Sequence, residues 1–191
     1  MDWNEIVETK GVPEWPYPIR YEREREVSAG VLVLGGGIAG CWAAISAARK
    51  GVNVVLVEKA ATFTSGAGGP GCDHWVLTPN PLSPITAEEV VDTELQETGG
   101  YTNAISRYIA ARESYDTLLE LEEMGGKIRD EGDEFKGGEF RDEKTKFLFA
   151  YDYKNRIHFR VWGTTFKPAL FRECKRLGVT IYDRTMVTSL L

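Results

Sequence analysis

The chain has 191 residues, 42% of them hydrophobic and 27% charged, which is typical of a globular domain with a buried core. Its formal net charge of -6 at pH 7 provides no strongly basic surface, so nucleic acid is excluded as an expected partner. The three cysteines, Cys41, Cys72 and Cys174, form no C-x-x-C pair, which argues against a zinc or iron–sulfur site and against a secreted disulfide framework.

The first residues show neither an export signal nor a membrane segment. Residues 1–11 are acidic and lack an apolar run, and no apolar stretch elsewhere approaches the length of a membrane span. We therefore expect a cytoplasmic location and no transmembrane segment. Residues 1–27 are interpreted as an extended N-terminal arm, because Pro13, Pro16 and Pro18 alternate with aromatic residues.

A strand, a turn, a helix and a second strand follow the arm within about 30 residues. Residues 31–34 form a continuous apolar run, which predicts a strand buried on both faces. Residues 38–50 are rich in alanine and predict a helix that ends at Gly51, with Cys41 packed on it as a small apolar residue. Residues 52–57 predict a second buried strand. This order predicts an α/β fold, a Rossmann-like doubly wound domain with a parallel sheet flanked by helices.

Residues 59–190 are assigned to further loops, helices and strands from their capping, turn and apolar residues. Thr86 and Glu89 have the spacing of a capping box, which marks the start of a helix. The predicted elements are, in chain order, a loop over 59–84, helices over 86–99 and 103–124, a mobile surface loop over 126–145, a small β-hairpin of strands 147–153 and 157–162, a helix that begins at Pro168, and strands over 179–182 and 186–190.

The first candidate site is the run of glycines between the first strand and its helix. Gly35, Gly37 and Gly40 satisfy G-x-G-x-x-G: the first allows a tight turn, the second lets a pyrophosphate touch the backbone, and the third lets the helix approach the sheet. The N–H groups and dipole of the helix N-terminus attract phosphate. Glu58, which ends the second strand, can accept hydrogen bonds from ribose hydroxyls and disfavours NADP. The alternative is a glycine-rich turn with a structural glutamate.

The second candidate site is the loop of small residues over 64–71. Such a loop can bring backbone close to a large flat ligand, which a plain NAD enzyme does not require. The alternative is a flexible surface loop.

Two weaker candidates depend on single side chains. His74 follows the second loop and is a candidate for a position near the ligand, although a lone histidine is more often structural. Arg156, Arg160 and Lys167 are candidates for a small basic patch, with a solvated face as the alternative.

A family resemblance is carried by four segments: residues 31–60, the Ser65-Gly66-Ala67 loop, the segment from Trp162 to Lys167-Pro168, and residues 182–191. Together they resemble the flavoprotein subunits of the fumarate reductase and succinate dehydrogenase superfamily, with a closer likeness to the adenylylsulfate reductase alpha subunit. The resemblance covers about residues 28–191. It implies the N-terminal portion of a glutathione-reductase-type FAD-binding domain, without the capping domain that binds substrate.

The resemblance also implies the cofactor and its contacts. It assigns the pyrophosphate to Gly35, Gly37, Ile38, Ala39 and Gly40, the ribose to Glu58 and Lys59, the pyrophosphate and flavin to Ser65, Gly66, Ala67 and Gly71, and the adenine to the backbone of Val187. Succinate dehydrogenases carry a histidine, covalently bonded to the flavin, directly after the serine of this loop. Gly66 stands there, which implies non-covalent FAD. Trp162 replaces a histidine of the adenylylsulfate branch, so the likeness does not extend to its substrate.

The implied function is the FAD-binding portion of a flavin-dependent oxidoreductase that transfers electrons between a substrate and a redox partner. The implied partner is an iron–sulfur subunit or the remainder of the flavoprotein. No catalytic residue is assigned, because the arginine and histidine residues that bind substrate in relatives lie further along the chain. Two alternatives are a truncated or split nucleotide-binding module without catalysis of its own, and an NAD-binding regulatory module. The latter leaves the loop over 64–71 and the Lys167-Pro168 segment unexplained.

Overall fold

The structure, a computed structural model, describes residues 3–11 and 25–189, which contain two small sheets. Its elements in chain order are α1 Trp3–Lys10, β1 Val31–Leu34, α2 Ile38–Arg49, β2 Val54–Val57, β3 His74–Trp75, α3 Ala87–Glu97, α4 Ala104–Glu123, β4 Leu148–Phe149, β5 Phe159–Arg160, a 3₁₀ helix Gly163–Thr165, α5 Phe166–Arg176 and β6 Thr180–Tyr182.

The first sheet is parallel and has the strand order β1-β2-β6. Val31 pairs with Val54, and Val55 pairs with Thr180. Helix α2 packs on this sheet and α5 packs on α2, so that Val33 and Leu56 share one core with side chains of both helices. A parallel sheet joined through helices confirms the predicted α/β fold class and its Rossmann-like unit.

One face of this sheet is open. Leu32 is 55% exposed and Leu34 is 44% exposed, whereas Val33 between them is buried. Side chains alternate between the two faces of a strand, and the helices cover only the Val33 face. The prediction that residues 31–34 are buried on both faces is therefore wrong within the part of the chain that the structure describes.

The second sheet is antiparallel, with the order β3-β5-β4. Phe149 pairs with Phe159, which confirms the predicted hairpin, although each strand is shorter than expected. The hairpin turns at Asp152, whose carboxylate accepts the N–H of Asn155 at 3.1 Å. The third strand, β3, falls in the stretch that was predicted as loop. It forms because Trp75 pairs with Phe159, a partner distant in sequence.

The two helices predicted over 86–99 and 103–124 are confirmed, and each begins at a residue whose side chain caps it. Thr86 caps α3: its hydroxyl accepts the N–H of Glu89 at 3.2 Å, and the Glu89 carboxylate accepts the N–H of Thr86 at 2.8 Å. The side chain of Asn103 caps α4 through the N–H of Ser106 at 3.0 Å. The two helices pack against each other.

The stretch over 126–145 is not the mobile surface loop that its charges predicted. Ile128, Asp130 and Arg141 are buried. The Arg141 Nε lies 2.9 Å from Asp130 Oδ2, and the Asp130 carboxylate also accepts the N–H groups of Glu134 and Phe135. The two buried charges of this segment pair with each other, and its remaining charges face solvent, so the segment is packed on the domain through Ile128, Asp130 and Arg141.

The two ends of the chain also differ from expectation. Residues 3–10 form helix α1, so the prediction of an extended arm is wrong for these residues. Pro13, Pro16 and Pro18, on which that prediction depended, lie outside the described residues. Residues 186–189 form no strand. After β6 the chain runs instead beside residues 58–60, where Arg184 N–H donates to Ala60 O at 2.8 Å and Thr185 N–H donates to Glu58 O at 2.9 Å. In the described residues, no helix is long and apolar enough to cross a bilayer.

Candidate functional site

The glycine turn joins β1 to α2 and requires glycine at several positions. Gly35 has φ +99°, in the left-handed region that favours glycine. A Cβ at Gly40 would overlap the carbonyl oxygen of Gly35, so only glycine lets α2 begin this close to the turn. A Cβ at Gly36 would lie 2.7 Å from Thr62 Oγ1. The motif therefore brings the helix N-terminus up to the carboxyl end of the sheet, as its spacing predicted.

The N-terminus of α2 has free N–H groups. Gly37 is the N-cap residue and provides no side-chain cap. The first bond within the helix runs from Cys41 N–H to Gly37 O at 2.9 Å. The N–H groups of Ile38, Ala39 and Gly40 precede that bond, so they have no partner inside the helix. Together with the helix dipole they form an arrangement that binds phosphate.

Glu58 lies beneath the turn rather than in open solvent. Its Oε2 accepts the N–H of Gly36 at 2.6 Å and its Oε1 accepts the N–H of Ala60 at 2.7 Å, and the residue is buried. Burial alone raises the pKa of this carboxyl, but the N–H groups of Ala60 and Gly36 outweigh it and hold the pKa below its ordinary value. Each carboxylate oxygen keeps a second lone pair that can accept from a ribose hydroxyl.

A pocket of about 250 Å³ opens beside Glu58. It brings together four of the residues predicted to bind cofactor: Gly35, Glu58, Lys59 and Val187. The segment after β6 forms one wall, because the bond from Thr185 N–H to Glu58 O holds it there. The pocket adjoins the glycine turn, as an adenosine binding site next to a diphosphate site must.

The loop over 64–71 is packed against the glycine turn. The alternative interpretation of these residues as a flexible surface loop is therefore wrong. Ser65 is buried and its hydroxyl donates to Gly36 O at 3.1 Å. Gly66 has φ +80°, and a Cβ there would lie 2.9 Å from Gly37 Cα. Ala67, in contrast, is exposed. Ser65 thus supports the turn from within, while Gly66 touches the backbone of the turn at Gly37.

Gly71 belongs to a second pocket of about 460 Å³ at the far end of the same loop. Gly71 has φ +91°, and a Cβ there would lie 2.6 Å from Thr164 N. Trp162 and Gly163 line this pocket as well. The structure therefore joins the glycine loop to the segment that precedes Lys167-Pro168, two stretches far apart in sequence.

A profile of the FAD binding domain family matches residues 30–191 of this sequence. The chain belongs to this family.

Proteins similar to this FAD binding domain are enzymes of several activities. The 3-oxosteroid 1-dehydrogenase of Mycolicibacterium smegmatis is 32% identical over 90 residues, which cover 47% of this chain and 15% of the relative. The structure of adenylylsulfate reductase from Archaeoglobus fulgidus is similar with a TM-score of 0.64 and 26% identity, over 83% of this chain and 24% of that chain. A flavocytochrome c3 fumarate reductase has a TM-score of 0.61 and 19% identity, over 82% and 26% of the two chains, which shows a shared fold.

These matches confirm the resemblance drawn from the sequence and FAD as the cofactor of this domain. The chain spans only between 15% and 26% of the length of these relatives. The residues of this FAD binding domain fit the ADP half of that cofactor, since an uncapped helix N-terminus adjoins a pocket that contains the Glu58 carboxylate.

Sequence reasoning missed the contacts by which three residues, Lys167, Asp183 and Thr62, support the glycine turn of this FAD binding domain. Lys167 is buried and donates from Nζ to Gly36 O, so it forms no surface patch with Arg156 and Arg160. Asp183 accepts both the N–H and the hydroxyl of Thr62, at 2.8 and 2.6 Å, and so fixes the residue that packs on Gly36. The only sequence feature that pointed to a role for Lys167 in the cofactor site was its place in the segment from Trp162 to Pro168, which resembles the family.

The two histidines contact residues outside the glycine turn. His74 contacts Asp73 at 2.7 Å and its ring packs on Tyr151 with centroids 4.6 Å apart. Both ring nitrogens of His158 are buried without a hydrogen-bond partner, and burial lowers the pKa of this imidazole, so it is neutral at pH 7. Among the described residues, no group of three or more histidine, cysteine or acidic side chains is arranged to hold a metal ion.

Proposed function

We propose that this chain supplies the ADP-binding half of a non-covalent FAD site in a flavin-dependent oxidoreductase, which transfers electrons between a substrate and a redox partner. The observation that carries the proposal is the uncapped N-terminus of α2 beside the pocket of Gly35, Glu58, Lys59 and Val187. When bound, the flavin supplies the two-electron redox chemistry, and the protein supplies binding and orientation.

Each part of the site has a proposed role. The N–H groups of Gly37, Ile38, Ala39 and Gly40 bind the diphosphate. Glu58 and Lys59 bind the ribose, and the backbone of Val187 contacts the adenine from across the pocket. Gly66, Ala67 and Gly71 lead from the diphosphate towards the flavin, and Ser65 supports the turn through Gly36 O.

The partner in this proposal is an iron–sulfur subunit or the remainder of the flavoprotein. Support comes from the adenylylsulfate reductase likeness and from the short span of the chain relative to such proteins. We also propose a cytoplasmic location, which agrees with the free thiols of Cys41, Cys72 and Cys174.

A second candidate function is a nucleotide-binding module without catalysis of its own. The observation that favours it is the open face of the parallel sheet, where Leu32 and Leu34 are exposed. In this alternative the chain binds the ADP portion of a dinucleotide, and the electron transfer belongs to other polypeptides.

The visible spectrum of the purified chain tests the proposal. The chain is loaded with FAD, separated from excess, and measured before and after acid precipitation. We expect flavin bands that move to the supernatant, because Gly66 offers no side chain for a covalent bond. Bands that stay in the precipitate contradict non-covalent binding, and a chain that retains no flavin but binds NAD contradicts the FAD site.

A matched pair of variants ties the spectrum to the glycine turn. Gly40→Ala places a methyl group on the carbonyl of Gly35 and is expected to abolish flavin retention. Gly132→Ala is the control, because its Cβ meets nothing closer than Glu134 Oε1 at 3.7 Å. If Gly40→Ala retains flavin as the wild-type chain does, the cofactor does not bind at the glycine turn and the proposed site is wrong. Turnover of a substrate by this chain alone contradicts the non-catalytic alternative.

A further inference from the structure

Lys167 reaches the glycine turn from inside the protein. It is the second residue of α5 and is only 1% exposed. Its Nζ donates to Gly36 O and lies 3.3 Å from Cys41 Sγ. The partners of this buried amine are thus a neutral carbonyl and a thiol, not a carboxylate.

Gly36 is held from both sides. Its N–H donates to Glu58 Oε2 at 2.6 Å. Its carbonyl accepts from Lys167 Nζ and also from Ser65 Oγ at 3.1 Å and Cys41 Sγ at 3.4 Å. A carbonyl has two lone pairs, so these donors crowd it and fix its direction.

The direction of this carbonyl sets the direction of the next N–H. The described chain has no cis peptide bond, so the Gly36 carbonyl and the Gly37 N–H point in opposite directions across one planar peptide. Because the carbonyl points inward to Lys167, the Gly37 N–H points outward, to the side where α2 begins. Lys167 therefore fixes the first donor of the phosphate-binding turn without touching its outer surface.

The charge of Lys167 acts in the same direction. A buried cation that contacts no carboxylate is costly, and a nearby anion relieves that cost. Glu58 supplies part of the compensation from the other side of the Gly36 peptide, and the Lys167 charge helps to lower the pKa of Glu58. The outer side of the turn is where a doubly charged diphosphate adds the rest.

We propose that Lys167 is a positioning residue for the diphosphate of the bound dinucleotide: it orients the Gly36–Gly37 peptide and places a positive charge behind it. This inference rests on the proposed function, because it requires a diphosphate at the glycine turn. Lys167 differs in this role from the residues that line the outer surface.

The test compares Lys167→Met with Lys175→Met, in the full chain, using ADP and adenosine as probes in calorimetric titrations. Lys175 is exposed on the same helix and undergoes the same chemical change. We expect Lys167→Met to weaken ADP binding at least about tenfold, as the loss of a charged donor does. We expect no change for adenosine, which lacks the diphosphate, and none for Lys175→Met.

Each outcome separates the two proposals. Wild-type chain that binds no ADP contradicts the proposed function itself. Wild-type chain that binds ADP, with Lys167→Met of equal affinity, overturns only the role of Lys167. An equal loss for ADP and adenosine also overturns it, because a merely structural contact affects both.

A second measurement covers the case in which Lys167→Met does not fold, as judged by circular dichroism. The wild-type chain is labelled with ¹⁵N-lysine, and the Lys167 ammonium resonance is assigned by its loss in Lys167→Arg. We expect that resonance to shift on addition of ADP and to stay in place with adenosine. A resonance that ADP leaves unchanged overturns the proposal.

Discussion

Gly66 and Gly37 lie with their backbones in contact: a Cβ on Gly66 would come within 2.9 Å of Gly37 Cα. Two glycine-rich stretches, separated by a helix and a strand, therefore meet at one point, and Gly66 has no room for a side chain there. This contact joins the glycine turn to the loop that continues towards the second pocket.

Replacement of Gly66 by alanine is expected to weaken FAD binding by at least about tenfold, equivalent to about 1.4 kcal/mol. The new methyl group pushes the loop away from Gly37, and alanine is also strained at φ +80°. Gly137→Ala is the control, because Gly137 has φ +81° but a Cβ there meets nothing within 4 Å. Fluorescence titration with FAD measures both. If the two variants lose equal affinity, backbone strain alone explains the effect.

Replacement of Glu58 by glutamine is expected to destabilise the fold at pH 7, because an amide NH₂ would face one of the N–H groups of Gly36 and Ala60. The pKa of Glu58 is lower in the folded chain than in the unfolded chain. Its ionised form therefore stabilises the fold above the ordinary carboxyl pKa, and that stability is lost as pH falls through the folded value.

Urea unfolding of both proteins across pH checks this sign. The difference in midpoint between wild type and Glu58→Gln is expected to be largest near pH 7 and to shrink below about pH 4. Glu139→Gln, at an exposed position, serves as the control. A difference that grows as pH falls contradicts the depressed pKa.

The buried pair of Arg141 and Asp130 gives a prediction for the segment over 126–145. Asp130→Asn is expected to lower the midpoint of urea unfolding, and this decrease is expected to be several-fold larger than that caused by Glu113→Gln. The reason is that Arg141 would keep a buried charge without its buried partner. Glu113→Gln is the control, because it removes one partner of the exposed pair with Arg112. Equal midpoints for the two variants would indicate that this segment is solvated after all.

The three thiols are expected to differ in reactivity. Cys72 is exposed, whereas Cys41 and Cys174 are buried, so one thiol reacts with Ellman's reagent in the folded chain and all three react in urea. Partial desolvation of the Cys72 thiol and the nearby Asp73 carboxylate raise the pKa of Cys72, so its reaction is expected to accelerate as pH rises to about 9 and above. Cys72→Ser is expected to remove the fast reaction. Persistence of that reaction would show that a buried thiol is accessible.

Local patterns predicted the local parts of this fold. The capping box of Thr86 and Glu89 was predicted because it depends on two residues three apart in sequence. The glycine turn was predictable for a similar reason, since its spacing is dictated by one strand, one turn and one helix.

Contacts between distant residues were not predictable in the same way. β3 forms because Trp75 pairs with Phe159, which is distant in sequence. The charges around Asp130 indicated a solvated loop, because nothing local reveals that Arg141 will be buried against them. Lys167 was considered as part of a surface patch, although its partner, Gly36, lies in the best predicted motif of the chain.

The open face of the parallel sheet has a practical consequence for work with the isolated chain. Leu32 and Leu34 project from it beside a pocket of about 600 Å³ lined by Val27, Val55 and Val57. An apolar surface of this kind binds hydrophobic dyes and favours self-association. We expect the purified chain to raise the fluorescence of anilinonaphthalene sulfonate, and its yield to improve when both leucines are replaced by threonine.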